Sequence, residues 1–220
     1  MLQRMQLLKL YRRLYSAYGP QDWWPAETAF EVMVGAVLTQ NTAWTNVEKA
    51  IAHLKDAGAL ALMPMARMTE RRLARLIRPS GCFNLKARRL KALCTWLQTA
   101  GGVAKLRKIP TEQLRRTLLA VHGIGPETAD SILLYAFDRP VFVIDAYTRR
   151  LLKKLNFSNA GASYELLRSG FESALEPDPA MFNEFHALIV RHAKEKCQNN
   201  GKCRHCLIER HILRNVVSVK

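Results

Sequence analysis

No apolar run in this sequence approaches the ~20 residues that a membrane-spanning helix requires, which excludes one on sequence grounds. The opening segment, Met1 to Tyr15, is basic and amphipathic, and it lacks an apolar signal core followed by a cleavage site. It reads as the first helix of a cytoplasmic protein, nucleoid-associated if the source is bacterial. Acidic residues are scarce: 18 Asp and Glu face 34 Lys and Arg, for a net charge of +16. Such an excess points to a polyanionic partner, because a basic surface gains affinity by releasing counterions from phosphates. The basic residues run through the whole chain rather than gathering in one tail, which argues against acidic lipid as that partner. There is no internal repeat and no low-complexity tract. Cysteines number five, too few and too unevenly placed for a disulfide framework. Cys82 and Cys94 are isolated, whereas Cys197, Cys203 and Cys206 cluster as metal ligands do.

What is present is helix. At 220 residues the chain can bury a sizeable core, as one large domain or two small helical lobes. Leu90, Leu93, Cys94 and Leu97 fall at i, i+3, i+4 and i+7, as do Ala129, Ile132, Leu133 and Ala136. Phe30 to Leu38 is apolar nearly all round, the mark of a helix buried on every side. The one strand-like run, Val141-Phe142-Val143-Ile144, is too short and solitary to imply a sheet. The fold class is therefore all-α.

Two local patterns carry chemistry. From about Thr111 a helix ends in Gly123-Ile124-Gly125, and a second begins with Pro126 at its first position. Glycines there permit left-handed backbone and let a phosphate approach without meeting a Cβ. The free N–H groups of the new helix then face that phosphate, while Ile124 plugs the hairpin into the core. Many Gly-x-Gly segments are only turns; the flanking amphipathic helices and the +16 charge favour phosphate binding. Asp145 follows the apolar run Val143-Ile144 and precedes a helix, so it reads as an N-cap. An N-cap carboxylate also stays ionised, which is the state an electrostatic catalyst needs.

In order and spacing, four segments between about Trp23 and Cys206 resemble the endonuclease III branch of the helix-hairpin-helix DNA glycosylases. They are Leu38-Thr39-Gln40-Asn41-Thr42, Gly81-Cys82-Phe83-Asn84-Leu85-Lys86-Ala87, Gly123-Ile124-Gly125 and Val143-Ile144-Asp145. The resemblance implies a central bundle over residues 23–137 that ends in the hairpin. Residues 1–22 and 138–220 would form a second helical lobe, with a cleft between the two. It implies double-stranded DNA with a damaged base as partner, bound by a monomer. Asp145 would stabilise the oxocarbenium-like sugar as the base departs, or activate the attacking water. Gln40, with Asn41 beside it, would enter the space left by the extruded base, and Gly81, Cys82, Phe83 and Asn84 would form a second insertion loop. Base extrusion costs a few kcal/mol.

One residue of that family pattern is missing. Bifunctional members of the branch carry a lysine two positions after the second hairpin glycine, and here that position is Glu127. A carboxylate cannot form an imine with the sugar, so a monofunctional glycosylase is expected. Trp23, Trp24, Pro25 and Trp44, together with Glu127, would line the base pocket. The Trp-Trp-Pro pairing with Leu-Thr-Gln-Asn-Thr resembles 3-methyladenine glycosylases, and a cationic alkylated purine between indoles gains about 1–2 kcal/mol of cation–π attraction.

The cysteine cluster departs from the family twice: its first gap is one residue short, and Ile212 stands at the fourth ligand position, beside His211. A [4Fe–4S] cluster on Cys197, Cys203, Cys206 and His211, a zinc on the same set, and no metal all stay open. None is needed for the chemistry. Two rival functions also stand: an endonuclease III-like glycosylase for oxidised pyrimidines or mismatched bases, and a non-catalytic helix-hairpin-helix DNA-binding module.

Overall fold

A computed structural model describes residues 3–155, 157 and 160–197. Among these, twelve α-helices and one 3-10 turn form the structure, with no strand. The helices are α1 (Arg4–Tyr18), α2 (Ala29–Leu38), α3 (Trp44–Asp56), α4 (Leu62–Arg67), α5 (Glu70–Leu76), α6 (Phe83–Thr99), α7 (Val103–Leu106), α8 (Thr111–Leu119), α9 (Pro126–Phe137), α10 (Ala146–Lys154), α11 (Tyr164–Ala174) and α12 (Pro179–Lys196). None of them is long and apolar enough to cross a membrane.

The chain divides into two compact units. One is Trp24–Arg139; the other draws on Met1–Trp23 and Pro140–Lys220.

In the first unit, α2 is the central rod. All nine residues from Phe30 to Leu38 are buried, so the helix is enclosed as its all-round apolar sequence requires. Thr28 caps it by accepting the Glu31 N–H. The periodic faces pack inward as the spacing predicts: Leu90, Leu93, Cys94 and Leu97 on α6 are at most 1% exposed, and Ala129, Ile132, Leu133 and Ala136 on α9 at most 2%. Burial pushes the Cys94 thiol up to about 11, which makes it an inert apolar filler.

A buried ion pair joins the two helices of the hairpin. Arg115 of α8 donates through Nε to Asp130 Oδ1 at 2.7 Å and through Nη2 to Oδ2 at 3.1 Å. Asp130 is fully buried and Arg115 nearly so. The fork-to-fork geometry fixes the angle at which α9 leaves the turn.

In the second unit, α10 and α1 pack on α12 around an aromatic core. Phe142 stacks on Phe171 with ring centroids 4.0 Å apart, and Phe182 and Phe185 meet it edge-on. Val141 to Ile144 is buried and belongs to no helix or strand, and the Phe142 N–H finds Glu172 Oε1 at 2.9 Å.

Asp130→Ala removes the carboxylate onto which the buried Arg115 forks, and should cost about 3–5 kcal/mol of stability. Urea unfolding checks this; a loss under about 1 kcal/mol would mean that the pair behaves like an exposed one.

Candidate active site

In the unit containing Asp145, the buried run Val141–Ile144 delivers that residue to the start of α10, where it is the N-cap. Its Oδ1 accepts the Thr148 N–H at 2.7 Å. Its Oδ2 lies 3.6 Å from His186 Nε2 of α12, slightly beyond hydrogen-bond length. Only 13% of the Asp145 side chain is exposed, enough for one face to meet a ligand. Burial acts to raise the carboxyl. The charge of His186 and its approach, followed by Thr148, outweigh that and hold it below the usual carboxylate range. Asp145 is thus an ionised carboxylate in a largely dry setting.

Helix α12 also presents Lys194, two turns beyond His186. Lys194 Nζ lies 5.8 Å from the centre of the Trp23 ring and 5.5 Å from that of Tyr147. The Trp23 indole therefore already faces a cation. His186 and Lys194 were not visible as site residues in the sequence. The signal available was their eight-residue spacing, which puts both near one side of α12.

In the other unit, Gly123 adopts φ +82° and makes the left-handed turn of the hairpin. Gly125 is extended instead, and a Cβ built on it meets nothing within 4 Å. It leaves open space before the N–H groups of α9, where Pro126 occupies the first position. Ile124 is buried as a plug. Glu127 is exposed in the first turn of α9, where a carboxylate complements the helix dipole.

Gln40 lies just past the end of α2 and bonds across to the hairpin. Its Nε2 donates to the Gly123 carbonyl at 3.1 Å and to Thr128 Oγ1 at 2.9 Å, and its Oε1 accepts from Arg89. Asn41 next to it is exposed at φ +52°. The second loop is tighter than a four-residue turn. Gly81 and Cys82 have φ +69° and +44°, while Phe83 and Asn84 already belong to α6. The 3-10 turn Arg78–Ser80 and the left-handed Cys82 reverse the chain early enough for α6 to start there. Buried Lys86 joins the two loops, donating to the carbonyls of Leu38 at 2.8 Å and Ser80 at 2.6 Å.

Trp24 and Trp44 meet edge-to-face with centroids 4.9 Å apart, and Trp24 also contacts Tyr135 of α9 at 5.1 Å. Trp24 lies so close over α2 that a Cβ on Gly35 would come within 3.0 Å of its ring. With Pro25, Glu31 and Glu48, the two indoles line a cavity of about 290 Å³. Glu31 pairs with Lys55 at 3.1 Å. Trp23 and Glu127 are not among its walls. Of the cysteine cluster, Cys197 is buried at the end of α12. Cys203, Cys206 and His211 lie outside the described residues, and among the described residues no three candidate ligands converge.

Because Asn caps a helix about as well as Asp, Asp145→Asn isolates the charge from the cap. The carboxyl is held low in the folded chain, so its stabilisation is present above the unfolded value near ~3.9 and is lost as pH falls through the folded value. The gap in melting temperature between wild type and Asp145→Asn should therefore close in strong acid. Asp145→Ala should cost about 0.5–2 kcal/mol more by losing the cap. A gap independent of pH would show that the charge contributes nothing.

Residues 34–177 match the family described as HhH-GPD superfamily base excision DNA repair protein. A Methanocaldococcus jannaschii protein named as a DNA repair glycosylase is 45% identical over 206 residues, 92% of this chain and 94% of its own length. The endonuclease III of Sulfolobus acidocaldarius is 25% identical over 81% of the chain and 79% of its length. Among solved structures, Helicobacter pylori 3-methyladenine DNA glycosylase bound to 1,N6-ethenoadenine superposes with a TM-score of 0.76 at 32% identity, covering 89% of this chain and 99% of that one. An endonuclease III–DNA complex superposes at 0.78 with 20% identity, over 94% and 93%, a likeness of fold. The helical architecture, the hairpin and these likenesses agree, and the chain belongs to the HhH-GPD superfamily of base excision DNA repair proteins.

Proposed function

We propose that this chain is a monofunctional DNA glycosylase that releases alkylated purines such as 3-methyladenine from double-stranded DNA. The cavity walled by Trp24 and Trp44 is the observation that carries the substrate class. Alkylation at N3 leaves the purine cationic, and indole faces attract a cation by about 1–2 kcal/mol. Glu48 on the same wall adds a carboxylate, while Lys55, also in the wall, is paired with Glu31 at 3.1 Å and Glu27 at 2.7 Å. Trp23 contributes less to this selection, because Lys194 already faces its ring. The 32% identity to a 3-methyladenine glycosylase that holds a modified adenine supports the same reading.

The cationic base is already a good leaving group, so little acid catalysis is required. What the reaction needs is negative charge for the developing oxocarbenium-like sugar. Asp145 supplies it, ionised by Thr148 and His186. Water then completes hydrolysis at the sugar carbon, and the base leaves with its bonding pair. Glu127 offers no amine for a Schiff base, so the product is an intact abasic site. The hairpin glycines and the start of α9 hold a backbone phosphate meanwhile. Three thiolates and an imidazole at Cys197, Cys203, Cys206 and His211 suit a structural [4Fe–4S] or zinc centre that would hold the basic stretch containing Lys196, Lys202 and Arg204 and take no part in base release.

Incubation with alkylated duplex DNA should release free 3-methyladenine, with strand breaks appearing only after hot alkali. Trp44→Ala should cut release at low enzyme by roughly 10-fold, the worth of one cation–π contact. Breaks without alkali would replace the monofunctional mechanism with a lyase. Release of oxidised pyrimidines but no alkylated purine would overturn the substrate class.

A further inference from the structure

Gln40 is the residue that the resemblance assigns to the duplex interior, yet here its amide is fully engaged. Both of its polar atoms bond within the unit: Nε2 to the hairpin carbonyl of Gly123 and to Thr128, and Oε1 to Arg89. An amide held by three bonds cannot enter a base stack until something displaces them. Of the three partners, Arg89 is the one with a charge.

Arg89 lies against the hairpin turn. Its stem lies over the hairpin so closely that a Cβ on Gly123 would be 2.3 Å from Arg89 Cγ and 2.6 Å from Nε. The first hairpin glycine thus has a second requirement besides its φ of +82°: it leaves room for this side chain. Arg89 Nε is buried without a hydrogen-bond partner among the described residues, and Gln40 Oε1 is the single acceptor of its guanidinium there. The group is a cation with donor capacity unspent, lying on the turn proposed to hold DNA backbone.

We propose that Arg89 is a phosphate-operated lock on Gln40. In the free protein it holds the amide oxygen. When a DNA phosphate arrives at the hairpin, the guanidinium exchanges that neutral oxygen for an ionised one, with the option of a two-bond fork. Gln40 is then retained only by two neutral hydrogen bonds and is released for insertion. Backbone capture and insertion are coupled through one side chain, so the wedge stays withdrawn until duplex is bound. Arg89 acts here as a positioning residue. This inference rests on the reading of the hairpin as a phosphate site.

The test uses the full chain and an undamaged, fluorescently labelled duplex, with affinity measured across a salt series. Arg89→Met keeps the stem over Gly123 and removes the charge. It should bind more weakly, and its log–log salt slope should fall by about 0.9, the signature of one lost phosphate contact. Arg89→Lys should keep the slope. Gln40→Ala frees Arg89 in advance but also removes the inserting amide, so its salt slope is the readout, and that slope should match the wild type's. Melting curves confirm that each variant is folded. An unchanged slope in Arg89→Met, or a reduced slope in Gln40→Ala, overturns the lock and leaves Gln40 a strut of the hairpin. Failure of the wild type itself to bind duplex in a salt-dependent way would instead overturn the DNA reading beneath it.

Discussion

The hydrogen bond from the Thr148 N–H to Asp145 does two things at once. It satisfies a free N–H at the start of α10, and it places a carboxylate where the positive end of the helix favours the ionised form. Desolvation alone would push such a shielded group toward its neutral form, in which it could not stabilise a positive sugar. The cap and His186 reverse that. The structural cap and the proposed electrostatic catalyst are therefore one carboxylate, and the buried run from Val141 to Ile144 brings the chain to that point.

The other unit shows a similar economy. Its hairpin is held from behind by the Arg115–Asp130 pair, filled by Ile124, and bridged to α2 by Gln40. Lys86 joins the end of α2 to the turn that starts α6. Each of the three loops with candidate DNA contacts contains a left-handed residue, at Asn41, at Gly81 and Cys82, and at Gly123. Buried polar links between loops substitute for the sheet that this fold does not have among its described residues. They give irregular segments defined positions, as contact with a regular duplex requires.

Much of this was legible in the sequence because it is local. The all-apolar α2, the inward faces of α6 and α9, Pro126 opening a helix and Asp145 capping one all follow from spacing and propensity. The relations that escaped are long-range. The bonds of Gln40 cross 83 and 88 residues, and its contact with Arg89 crosses 49; no periodicity encodes them. Trp23 and Trp24 are neighbours in sequence, but the division of the chain falls between them, and Trp24 meets Trp44 within its own unit. His186 and Lys194 lie in a helix whose sequence pattern reports burial alone.

The central claim is that the charge of Asp145, not merely its cap, makes base release possible. Single-turnover release from alkylated duplex by Asp145→Asn, with binding and melting measured alongside, tests it most directly. The account predicts near-normal folding and binding with release slowed by roughly 10²–10³-fold or more, as when a preorganised transition-state partner is lost. A variant that binds and releases base at the wild-type rate would contradict it.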